Sequence, residues 1–314
     1  MSGMTVSSTP PADWSRICTA GNLLFHSPGW LELLESSFDI QTQYIWDEEA
    51  QCGGAVSSFR AGPFWLGYLG FPFGGFVGNT GITDELLQSW QNHRADIRAM
   101  AIRIPVSAFG DSAMPDLSFE STPETAIVDL PSWTLEVTSG NHRRDVKKAM
   151  RSELKVSDAG DAADGGEIFR LYSDTVKRQR GALRYNEAYF VKLIELAQSS
   201  PLIRVLIARM ADSIAGFTVT VRHGPVGLYL HGGTNLEHRQ HQPSAVLLYE
   251  AIQWAQSLGC ASFNLMSSPA DQESLVWYKE KWGGETREHR TYTLPLRPSF
   301  GLFRVAERIH RLVR

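Results

Sequence analysis

Apolar positions recur along the chain in two periods, and the switches between them outline its elements. Ser27-Pro28 supplies an N-cap and a first-turn proline, and Trp30, Leu33, Leu34 and Phe38 then repeat at helical spacing, which predicts an amphipathic helix over 28–38. Short β-rich runs bounded by Gly, Pro, Asp or Asn follow at 41–46, 54–60, 64–70, 98–104 and 125–130, with a helix near 83–94 among them. The stretch GYLGFPFGGFVGNTG (67–81) holds too many glycines for a regular element and predicts a loop in which backbone and aromatic rings approach something closely.

A joint is predicted at PSWTLEVTSGNH (131–142), followed by helices over 141–153, 166–179 and 186–198. On the first of these, Val146, Ala149 and Met150 form the expected buried stripe, while Arg144, Lys147, Lys148 and Arg151 gather on another face. Three strand-like runs at 202–208, 213–222 and 226–231 are separated by turn signals and predict an antiparallel meander. A polar loop, 232–243, leads into a helix that starts at Ser244, aligns Ala245, Leu248, Tyr249, Ile252 and Ala255, and stops at Gly259. A strand (260–265), a helix (271–281) and a last strand (289–295) imply a parallel crossover within an otherwise antiparallel sheet, and so an α/β class with mixed sheets.

Composition narrows the class further. With 314 residues, 43% hydrophobic and 20% charged, the chain has ample core for two globular domains. The expected division is a flexible arm at 1–22, rich in Ser, Thr, Pro and Gly, then domains at 23–135 and 136–314, the second ending in an amphipathic helix within FGLFRVAERIHRLVR. A net charge of −4 argues against a broad nucleic-acid footprint and leaves local basic patches at 141–155 and in the tail. Cys18, Cys52 and Cys260 are far apart, odd in number and without metal-ligand spacing, so a reducing compartment and no metal are expected. The N-terminus has no leader-like pattern and no apolar run approaches the roughly 20 residues of a spanning helix, from which a cytoplasmic location is expected.

Four segments resemble the Fem-type, two-domain branch of the GNAT superfamily. They are SPGWLELLESSF (27–38), FPFGGFVG (71–78), the basic helix NHRRDVKKAMRSELKV (141–156), and the set YLHGGTN (229–235), QPSAVLLYEAIQWAQSLGC (242–260) and LVWYKEKWGG (275–284). The resemblance covers roughly 25–296 and implies tandem GNAT-like domains that transfer an acyl or aminoacyl group to an amine, with no permanently bound cofactor. Ordinary GNAT enzymes hold the coenzyme A pyrophosphate on a glycine-bearing loop ahead of a helix. Here Pro243 and Ser244 stand in that loop, within Arg239-Gln240-His241-Gln242-Pro243-Ser244-Ala245, which weakens the case for acetyl-CoA and is similar to transferases whose donor is an aminoacyl-tRNA.

Acyl transfer needs a neutral amine, a means of holding the developing oxyanion and a route for the amine's proton. The resemblance assigns Lys279, with Tyr278 beside it, to the neighbourhood of the acyl ester. Tyr229 and His231 lie two apart on a strand, so they are expected on one face, with His231 accepting the proton and Tyr229 lining the acceptor site. Arg178, Arg180, Tyr185 and Phe73 complete the expected acceptor site, and Arg239, Ser244, Arg144 and Lys147 the donor site. Aminoacyl transfer from a charged tRNA to a small peptide, antibiotic or cell-envelope precursor is the leading reading; an acyl-CoA-dependent N-acyltransferase and a non-catalytic ligand-binding module are the alternatives.

Overall fold

The computed structural model describes residues 3–78, 83–110, 116–179 and 181–301. Two compact units divide the chain: Met1–Thr19, Phe25–Ser121 and His289–Arg314 form one, and Ala20–Leu24 with Thr122–Glu288 the other. The division thus falls at Ser121/Thr122, upstream of the joint expected at 131–142, and the chain returns to the first unit at its end.

Instead of a loose arm, the N-terminus forms β1 (Met4–Ser7) and α1 (Trp14–Gly21). Met4 is buried and pairs with Asp47, while Trp14 and Cys18 of α1 are buried too. Trp14 meets Tyr44 and Trp46 edge-on at 5.2 and 5.4 Å, and its indole N–H donates to His26 O at 2.8 Å. These few apolar anchors outweigh a turn-rich composition because each large ring removes much surface from water. Next come α2 (Pro28–Ser37), capped as expected by Ser27, and β2 (Ile40–Asp47), β3 (Cys52–Ala61), β4 (Phe64–Leu69), α3 (Asp84–Asn92) and β5 (Ala101–Val106). β1 to β4 form an antiparallel meander, α3 carries the crossover to β5, and β5 lies parallel to β4. Val56, Leu69, Trp90, Ile102 and Ile104 form the core of this unit.

In the second unit β6 (Phe119–Ile127), α4 (Gly140–Met150), β7 (Lys155–Asp158), α5 (Ala162–Arg178) and α6 (Glu187–Ser199) precede the meander β8 (Ile203–Met210), β9 (Ser213–His223) and β10 (Val226–Thr234). Then α7 (Pro243–Ser257) crosses over to β11 (Ser262–Ser267), α8 (Glu273–Glu280) follows, and β12 (Glu285–Pro295) passes into the first unit at His289. β7 to β10 run antiparallel in sequence order, β11 lies parallel to β10, and β6 pairs with β11. Each unit therefore repeats one plan, a four-stranded meander, a helical crossover and a parallel strand. The strand beyond that is exchanged in the chain: β6, which follows β5, pairs with β11, and β12, which follows β11, pairs with β5. On α4 the buried stripe is His142, Val146 and Ala149, and Met150 is 51% exposed. Steps of four and three keep one helix face, whereas Met150, adjacent to Ala149, turns about 100° away. The amphipathic helix expected over 300–314 falls largely outside the described residues.

In the first unit His26 is fully buried. Its Nδ1 accepts the Ala55 N–H at 3.2 Å and its Nε2 faces Gly75 O at 3.1 Å, so the ring is neutral with the proton on Nε2. Gly70, at φ +59°, makes room for it, since a Cβ there would lie 2.5 Å from His26 Nε2. Burial pulls the His26 pKa down to about 4. The unfolded ring, near its ordinary 6.5, binds a proton the folded one refuses, so stability is full above pH 6.5 and is lost as pH falls towards 4. Denaturant titrations from pH 7 to 4 should show a loss on the order of 3 kcal/mol from this group, and His26→Gln should flatten the slope. An unchanged slope in the variant would assign the acid sensitivity elsewhere.

Candidate active site

The site forms where two strands of the second unit part. β10 and β11 pair only through Val226↔Ser262, Gly227↔Phe263 and Leu228↔Asn264. Beyond Leu228 the ladder of β10 with β9 slips between Tyr229 and His231, leaving Leu230 outside both ladders. On the other side β11 is deflected at Met266, whose φ of +67° is strained for a residue with a side chain. A cavity of 290 Å³ opens here, lined by Tyr229 to Gly232 of β10, Leu265 to Ser267 of β11, and residues of α5, α7 and α8.

Lys279 holds the deflected strand. It belongs to α8, is only 7% exposed, and its Nζ donates to Met266 O at 2.8 Å, Ser267 O at 3.1 Å and Ser268 Oγ at 2.8 Å. Three donors meet three acceptors, the full complement of an ammonium. Burial pulls its pKa down to about 7, with the Glu124 carboxylate acting in the opposite sense. Glu124, fully buried on β6, accepts from Asn264 Nδ2 at 2.6 Å, and Asn264 Oδ1 accepts the Met266 N–H at 2.7 Å. A continuous hydrogen-bonded chain, Glu124 to Asn264 to Met266 to Lys279, thus fixes the bend that opens the cavity. Tyr278 lines the same cavity, its phenol pushed up by burial, and its ring lies 4.9 Å from that of His142.

The bulge at Leu230 breaks the alternation expected for Tyr229 and His231. Tyr229 packs with the core of Leu248, Ala255 and Phe263, whereas His231 turns to the rings of Tyr172, Tyr185, Tyr189 and Phe190 at 4.6 to 5.8 Å. Both still reach the cavity wall. His231 Nε2 shares a hydrogen bond with Tyr189 Oη at 3.0 Å, and burial pulls its pKa down to about 3. Such a ring is neutral at pH 7 and has little basicity with which to take a proton. Gly232 is required beside it, because a Cβ there would stand 1.8 Å from Tyr229 Oη.

Residues 138–280 match the family model described as an acetyltransferase (GNAT) domain. Solved structures extend the likeness to the whole chain. FemX aligns at 13% identity and TM-score 0.65 over 96% of this chain and 99% of its own. The C-terminal domain of a putative lysylphosphatidylglycerol synthetase from Agrobacterium fabrum aligns at 14% and 0.58 over 90% and 92%. A tandem GNAT protein from the clavulanic acid biosynthesis pathway aligns at 10% and 0.53 over 94% and 99%. This chain has the tandem GNAT fold of the Fem type. No curated protein matches its sequence. The fold is that of an acyltransferase, and the splayed pair β10/β11 lies within the matched GNAT domain.

Other expected residues distribute around this GNAT domain. Tyr185 stacks on His231 at 4.6 Å. Arg178 donates to Thr175 Oγ1 at 2.9 Å and Thr234 O at 3.2 Å, and lines a neighbouring surface hollow of 410 Å³ with Arg170 and Lys177. Arg144 and Lys147 line a separate open hollow of 480 Å³ with Lys148 and Arg151. Arg239 is exposed on a 3₁₀ turn ahead of α7, and Ser244 lies in the first turn of α7. Phe73 belongs to the first unit, where its ring meets His289 at 5.2 Å, and Arg180 lies outside the described residues. Glu124, Asn264, Ser268 and Tyr189 were not singled out from sequence. A strand glutamate with no local partner, in TPETAIV, was the available signal for the first. Among the described residues no group of three His, Cys, Asp or Glu is placed to hold a metal, and no helix is long and apolar enough to cross a membrane.

Proposed function

We propose that the chain is an N-acyltransferase that moves an aminoacyl group from a charged tRNA onto the amine of a small peptide, antibiotic or cell-envelope precursor. The observation that carries the reading is the splay of β10 and β11, with a 290 Å³ cavity in the gap, a backbone segment at Leu230 outside both ladders, and Lys279 buried on the wall. A carbonyl lodged there meets a peptide dipole and a nearby cation where negative charge develops, in a site sheltered from water. The amine nitrogen attacks the ester carbon, the C–N bond forms as the C–O bond breaks, and the nitrogen's proton leaves with the departing oxygen. Assigning the proton to the leaving group follows from His231, which is too weakly basic to take it at neutral pH.

The start of α7 supports a donor other than coenzyme A. Gln242 takes a left-handed conformation, Pro243 has no N–H, and the amides of Ala245 and Val246 both turn onto Gln242 O, at 3.1 and 3.5 Å. Of positions 243–246 only Ser244 keeps an amide for an anion, too few to wrap a pyrophosphate. Arg239 and the basic face of Arg144 and Lys147 suit tRNA phosphates, and Arg178, Tyr185 and Tyr229 suit the acceptor; a tRNA donor sets the reaction in the cytoplasm. The protein should be incubated with a charged tRNA pool and, separately, with short acyl-CoAs. Transfer or deacylation from tRNA, with acetyl-CoA binding weaker than micromolar by calorimetry, is the expected result. Micromolar or tighter acetyl-CoA binding with acyl transfer would replace this donor by acyl-CoA, and ligand binding without turnover would point to a non-catalytic module.

A further inference from the structure

The cavity's lining is apolar over most of its extent, with Val176, Leu230, Leu248, Leu265 and Leu275 joined by the faces of tyrosine rings. Its charged complement is one-sided. Lys279 contributes a cation at and below a pKa of about 7, His231 is neutral, and among the described residues no Asp or Glu lines the space. The carboxylate nearest in the network, Glu124, is engaged by Asn264 behind the strand. Resting on the acyl-transfer reading above, we propose that the cavity selects an acyl group whose tail beyond the α-carbon is uncharged and apolar: an aliphatic or aromatic acyl, or an aminoacyl with such a side chain. A lysyl, arginyl or other cationic group is rejected. An ammonium placed in this space gives up its water, finds no counter-charge, and stands in the same small volume as the Lys279 cation. An apolar tail of the same length meets leucines instead.

The selectivity is tested with donor pairs that share a carbon chain and differ in a terminal ammonium, norleucyl against lysyl carried on the same tRNA and hexanoyl-CoA against 6-aminohexanoyl-CoA. Whichever donor class is used, the neutral member should be favoured in kcat/KM by about 100-fold or more, the scale set when burial shifts a charged group by two pKa units or more. Gln179→Glu is the companion variant: Gln179 lines the cavity from an exposed position at the end of α5, so a near-isosteric carboxylate can be introduced with little cost to folding. It should narrow the ratio by about tenfold or more through a gain with the cationic donor, as a nearby opposite charge favours the charged form. A cationic donor used within tenfold of its neutral partner by the wild type, or an unchanged ratio in Gln179→Glu, would overturn the inference. Calorimetry with hexanamide and 6-aminohexanamide separates the two levels: preference for hexanamide without transfer from any donor would sink the acyl-transfer reading while keeping the cavity's selectivity, and no preference would sink the selectivity itself.

Discussion

Replacing Lys279 by methionine should lower kcat/KM by about 10²-fold or more, through loss of the positive charge beside the reacting carbonyl, and should also lower stability by about 1–3 kcal/mol. Were Lys279 exposed on its helix, removing the charge would leave the melting temperature nearly unchanged. Its burial reverses that expectation. Methionine keeps the stem but strands Met266 O, Ser267 O and Ser268 Oγ, all now bound by Nζ, and releases the bend of β11. Two pH signatures separate a functional charge from a merely structural strut. Because folding pulls this amine from its ordinary 10.5 down to about 7, the unfolded chain holds more protons between those values, and wild-type stability rises with pH across that window. The methionine variant should lack the rise. If the charged form supports turnover, activity should also fall as pH climbs through about 7, and that limb should vanish in Lys279→Met. Near-normal turnover of the folded variant would remove Lys279 from the chemistry.

Gly232→Ala should be the most damaging single methyl addition in the site. The new Cβ would lie 1.8 Å from Tyr229 Oη and 2.6 Å from its Cζ, so the ring must leave its place on the cavity wall. Overpacking of this kind costs about 1–3 kcal/mol, and the displaced ring should reduce acceptor or donor binding as well. A double-mutant cycle isolates the cause. In a Tyr229→Ala background the same methyl has nothing to strike, so urea titrations should find Gly232→Ala close to neutral there. Equal costs in both backgrounds would show that the strain arises from the backbone rather than from the tyrosine.

Most elements were legible from period alone, since Trp30 to Phe38 and Ala245 to Ala255 repeat at helical spacing and the three β runs that form β8 to β10 alternate with turn signals. What escaped was long-range. β1 and α1 depend on Trp14 meeting Tyr44 and Trp46, contacts that no local window contains. Lys279 could be picked out by resemblance, yet its burial follows from a kink at Met266 and a carboxylate on β6, well over a hundred residues apart in sequence. His231 looked like a base because alternation was extrapolated through Leu230, and a one-residue bulge is invisible to a period-two pattern. The same bulge sends the ring among Tyr172, Tyr185 and Tyr189, where burial pulls its pKa down.

The exchange of last strands also sets an order of events during synthesis. The edge of β5 is completed only when β12 arrives, Val106 finding its partner in Arg290. At about 5–20 residues per second a ribosome needs on the order of ten seconds or more to supply it, during which an unpaired row of amides and carbonyls stands open on the nascent chain. The segment Thr122–Glu288, by contrast, is continuous and holds its own six strands or their paired parts. The later-made half is therefore the one equipped to fold first, and the earlier half closes around its returning terminus. A fragment ending at Ser121 should aggregate where one spanning Thr122–Glu288 stays in solution.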